Sequence, residues 1–166
     1  MKKFVLVFSL IFSISLFAEE RTPFEVQGTS PIGQGEIYLK LAKSHADELN
    51  YKRSIELLED FLILFPEHPE KKNALLQLAD CFEKEMNWEK AIKTNLQIYR
   101  NSPFTEEGLL AYFHGAELMA RIGEYKRSGE ILSFLKKQSY SAKVKDLADI
   151  ELDQRKILGK GQAPKE

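Results

Sequence analysis

Few side chains in this 166-residue chain are of a type that does chemistry. They are His45, His68, His114, Cys81 and neighbouring acids such as Glu83/Glu85 and Glu106/Glu107. Metal sites and catalytic motifs draw such groups together at short, fixed spacings. The three histidines form no i, i+4 pair with one another or with the cysteine. A single cysteine makes neither an internal disulfide nor a multi-cysteine metal site. Cys81 lies between Asp80 and Glu83, whereas a reactive thiolate needs electropositive surroundings. It therefore reads as a small buried hydrophobe beside Phe82. His45 falls in a helical packing pattern, His68 in a loop, and His114 on a helix, turned roughly toward an open face. The acid pairs read as solvated faces. No glycine-rich phosphate loop or nucleophile elbow appears. The expectation is a non-enzymatic protein with no catalytic residue, no cofactor and no metal.

Composition agrees. Charged residues are 30%, hydrophobic residues 43%, and the net charge is -1. This is ordinary for a globular chain. It supplies no field favouring nucleic acid or an anionic membrane.

The elements that position these residues show a repeat. The segment 51–66, YKRSIELLEDFLILFP, has weaker echoes at 88–103 and 125–140. Tyr51, Trp88 and Tyr125 are 37 residues apart, and so are Pro66 and Pro103. The same step links Ala42/Ala79/Ala116, Ser54/Ala91/Ser128, Ala74/Ala111/Ala148 and Phe61/Ile98/Leu135. A fixed period of this length signals stacked supersecondary units. Small residues suit the crossings of such helices, and large ones fill the spaces where they diverge.

In chain order, 1–18 reads as a secretory signal peptide. Lys2 and Lys3 precede a 14-residue apolar run from Phe4 to Phe17, and Ala18 precedes Glu19. No cysteine follows that run, so a lipoprotein anchor is not expected. Export to the periplasm is expected, with no membrane insertion after cleavage. Residues 19–34, with Pro23, Gly28, Pro31 and Gly33, read as a flexible linker. From 35 the pattern is helical, over a domain at 35–158. Repeats are expected at about 35–66, 72–103 and 109–140, then a capping helix at 141–158 and a polar tail at 159–166. Tyr38, Leu41, Ala42 and His45 share one helical face. Asn50 and Asn87 suit N-caps, and Ser102 and Thr105 are further capping candidates. Pro69 suits a helix first turn. Asn95 stands where its sister repeats have Leu58 and Leu132, which predicts a locally polar layer. Gly129 is expected to let another helix approach closely.

These columns resemble the tetratricopeptide repeat (TPR). The match runs through Tyr38, Leu41, Ala42, His45, Tyr51, Ser54, Leu58 and Pro66, then Leu75, Leu78, Ala79, Phe82, Trp88, Ala91 and Pro103. It continues through Tyr112, Ala116, Gly123, Tyr125, Ser128 and Leu132. The period is 37 rather than the usual 34, and Phe61, Ile98 and Leu135 stand where the family pattern has Ala. Both departures resemble the TPRs of bacterial envelope proteins, of the Tol–Pal-associated cell-division coordinator and outer-membrane assembly lipoprotein type. The resemblance implies an all-α, TPR-like superhelix of three helix-turn-helix repeats plus a C-terminal capping helix. It also implies a concave groove lined by the first helices, binding a protein or peptide partner. On the family pattern Leu39, Leu76, Phe113 and Ile150 lie in register along that groove. Lys43, Asp80 and Glu117 lie one turn on, with Arg121 a turn further. The implied function is that of an adaptor in envelope assembly or division. The alternative is a structural subunit of an envelope complex assembled by repeat stacking, with self-association.

Overall fold

The computed structural model describes residues 30–157. The expected signal peptide, residues 19–29 of the expected linker and the tail lie outside them. Seven helices follow in order: α1 (Pro31–Asp47), α2 (Tyr51–Leu64), α3 (Lys71–Lys84), α4 (Trp88–Asn101), α5 (Glu106–Arg121), α6 (Tyr125–Gln138) and α7 (Ala142–Ile157). No strand occurs among the described residues. Each helix packs on the next, and α5 also touches α7. The result is the all-α, TPR-like repeat that the columns predict: three helical hairpins and a terminal helix.

Local signals account for most boundaries. The side chains of Asn50 and Asn87 accept from the backbone N–H groups of Arg53 and Lys90. Thr105 accepts from Gly108 N–H at 3.1 Å. Ser141 accepts from Val144 N–H at the start of α7. The start of α1 corrects the expected boundary at 35. The helix begins at Pro31, because Ser30 caps Gly33 N–H and proline occupies the first turn, where its missing donor does no harm. The helix at Lys71 starts two residues after Pro69, which stays outside it.

The turn inside each hairpin is the same motif three times. Asn50, Asn87 and Glu124 N–H bond back to the carbonyls of His45, Phe82 and Met119, each at 2.8 Å. That six-residue closure requires a left-handed residue just past the helix end. Gly123 fills the place in the third repeat with φ 88°. Leu49 and Met86 fill it in the first two, at φ 61° and 55°.

Between repeats, a first helix packs on the second helix of the preceding unit through the small-residue column. The Cys81 thiol donates to Ser54 Oγ at 3.4 Å. The Arg155 guanidinium donates to Ser128 Oγ at 2.8 Å, and Ser128 in turn donates to the Ala116 carbonyl. Both pairs are 27 residues apart, and Ala91 and Leu118, the pair between them in register, are also buried. Phe61, Ile98 and Leu135 are fully buried, as the period predicts. Asn95 is buried and donates to the Ala91 carbonyl, so its layer is locally polar.

Three expectations need correction. Leu41 is 43% exposed. Its register partners Leu78 and Gly115 are buried, and no repeat precedes α1 among the described residues to cover Leu41. Gly129 has nothing within 4 Å of a built Cβ, so no helix approaches there. His68, expected only as a loop residue, is buried. Glu70 N–H donates to its Nδ1, which leaves Nε2–H to donate to the Ile32 carbonyl, both at 3.1 Å. Gly35 makes this possible, since a Cβ there would stand 2.6 Å from the imidazole.

Candidate functional site

The first helices carry the candidate groove residues. Leu39 is half-buried against the core, and Lys43 one turn on is exposed. On α3, Leu76 is 37% exposed and Asp80 is exposed. On α7, Ile150 is 55% exposed. Phe113 departs from the expected ladder: it is 5% exposed and belongs to the core cluster. Its helix, α5, is the one that also touches α7, so the ring completes packing where a groove contact was expected. Half-buried Leu110 and Leu147 continue the apolar surface in the adjacent register.

Polar groups gather between α3 and α5. His114 Nδ1 and Glu117 Oε2 are 2.9 Å apart. This hydrogen bond holds the imidazole above its ordinary range, and the charges of Glu117 and Glu83 add to the effect while burial opposes it. Glu83 was expected on a solvated face, but it is half-buried. Burial pushes its carboxyl up, and Asp80 and Glu117 push the same way against His114 and Arg121. These couplings run from α3 to α5, so the two first helices share one surface. Arg121 lies over the Trp88 ring, 5.6 Å from its centroid. Trp88 is thereby half-buried at the edge of this surface rather than enclosed.

Asp80, Glu83, His114, Glu117 and Arg121 are thus electrostatically coupled, with Leu76 one turn before Asp80 on α3. From the sequence Glu83 was not grouped with Asp80 and Glu117. Its spacing from Asp80, one helical turn, was the available signal.

Cys81 is enclosed and burial pushes its thiol up. Among the described residues no group of His, Cys, Asp or Glu is arranged to hold a metal. No described helix is long and apolar enough to cross a membrane.

One comparison bears on this geometry. A family model described as tetratricopeptide repeat matches residues 73–103, which span most of α3 and all of α4. Residues 73–103 are thus similar to a tetratricopeptide repeat. Its column pattern recurs at the same register in the hairpins before and after the matched one, and the whole is a TPR-like solenoid. Repeats of this type are protein-interaction scaffolds. No curated protein matches the chain.

Proposed function

We propose that the chain is an exported periplasmic scaffold that holds a segment of a partner protein on its first-helix face, in cell-envelope assembly or division. The observation that carries the reading is the exposure of Leu76 and Ile150 at one register position, with charged groups a turn away. A large apolar side chain left in water at a repeated position is what a docking surface requires. Export is supported by the lysine-led apolar run at 1–18, and the envelope setting by the similarity of 51–66 to the envelope-type repeat.

Leu76→Glu with Ile150→Glu tests the reading. Both sites are exposed, so the melting free energy should stay within about 0.5 kcal/mol of wild type. Capture of a partner from envelope extract should fall at least about ten-fold. Undiminished capture rules out this face. Intact mass of the exported protein should begin at Glu19, and a mass that retains Met1 rules out cleavage.

A second reading, a structural subunit that self-associates, is favoured by one observation. Leu41 is exposed where its register partners are covered. Light scattering separates the two, because a concentration-dependent mass abolished by Leu41→Glu selects the second.

A further inference from the structure

The surface between α3 and α5 specifies the kind of segment that would dock there. On α3, Leu76, Asp80 and Glu83 follow at i, i+4 and i+7, so they share one stripe. The Asp80 carboxylate is exposed and the Glu83 carboxylate is half-buried, whereas the Glu117 carboxylate is hydrogen-bonded to His114. Two cations are coupled to Glu83: His114, which is hydrogen-bonded to Glu117, and Arg121, whose guanidinium lies over the Trp88 ring. On α1, by contrast, the register place of Asp80 holds Lys43, with Lys40 a turn before it and Asp47 a turn further on, all three exposed. The face is therefore negative at its middle, positive at its α1 end, and apolar along Leu39, Leu76, Leu110 and Ile150.

We propose that this face takes a basic-apolar protein segment, with a lysine or arginine seated on Asp80 and Glu83 and flanking apolar side chains on Leu76 and Ile150. The proposal rests on the docking role given above and adds the chemistry of the occupant. Charge complementarity selects the partner and its register. A cation fits over α3 and α5, and Lys40 and Lys43 repel it from α1. An acidic segment placed the same way meets like charge at Asp80, Glu83 and Glu117. The Glu83 carboxylate is already partly desolvated by the protein itself, so seating a cation on it removes less water than at a fully exposed carboxylate.

The test uses the full chain and three labelled synthetic peptides of one leucine-rich sequence, bearing Lys, Gln or Glu at the charged positions. Fluorescence anisotropy should rank them Lys, then Gln, then Glu. Asp80→Asn with Glu83→Gln should weaken the Lys peptide about ten-fold and leave the Gln peptide unchanged. Both substitutions are isosteric at partly exposed positions, and circular dichroism checks that helicity is kept. Leu76→Ser with Ile150→Ser should weaken all three. If the Glu peptide binds as well as the Lys peptide, or the Asn/Gln variant binds Lys peptide normally while the Ser variant does not, the choice of a basic occupant is overturned and the docking face stands. If the Ser variant binds every peptide as wild type does, both fall.

Discussion

Glu83 stands half-buried among Asp80, Glu117, His114 and Arg121, with its carboxyl held above the ordinary glutamate range by burial. A raised carboxyl binds its proton more tightly in the folded state. Its contribution is most favourable below the unfolded value, 4.5, and is lost as pH rises through the higher folded value. His114 runs in the same direction. Its pairing with Glu117 stabilises fully below the unfolded value, 6.5, and fades as pH rises through the raised folded one. Glu83→Gln should therefore stabilise the unliganded protein at neutral pH by about 0.5 kcal/mol, a figure reduced for solvent screening. His114→Gln should flatten the loss of stability between acid and neutral pH. Urea melts over that range check both, and a stability lowered at pH 7 by Glu83→Gln would contradict this account. The burial of Cys81 was legible here from its place beside Phe82 in a helical pattern. The depth of Phe113 and Glu83 was not. A column position says which way a side chain points, while its burial depends on how closely the neighbouring first helix approaches.

The turn at Leu49 and Met86 belongs to the scale of the element. Each residue holds a left-handed conformation, at a strain of about 1 kcal/mol for a side chain with a Cβ. Each is also exposed, 71% and 72%, so no burial of the side chain offsets the strain. Leu49→Gly and Met86→Gly should leave the helices intact and raise stability by up to about 1 kcal/mol, less the chain entropy glycine adds to the unfolded state. Gly123→Leu should lose a similar amount. Thermal melts of the three variants test the motif, and loss of stability in both glycine variants would overturn it. Helix existence and most caps could be read from Asn50, Asn87 and Thr105. The first helix could not be placed so well, because Pro31, Gly33 and Gly35 are breakers in composition. In the fold Pro31 is a start signal, and Gly35 is the space that His68 fills.

For the whole molecule, the 37-residue period was enough to establish the stack, since each hairpin can bury its apolar face only against a neighbour. The ends obey different rules. On α7, Asp149, Asp153 and Lys156 occupy the register places of Leu75, Ala79 and Phe82 on α3. A capping unit turns a polar face outward, and these charges give α7 such a face. The joints differ as well. Arg155 is buried on Ser128, with Glu151 accepting from its Nε at 2.8 Å, whereas the middle joint is the apolar pair Ala91 and Leu118. The order of the units is therefore written into their seams. Excising 67–103 in frame would set Leu118 against Ser54 and keep the arginine with its serine, so a shortened chain should still melt cooperatively. Excising 104–140, a cut of equal length, would press a guanidinium onto Ala91, which offers it no acceptor, and that chain should shed its last helix.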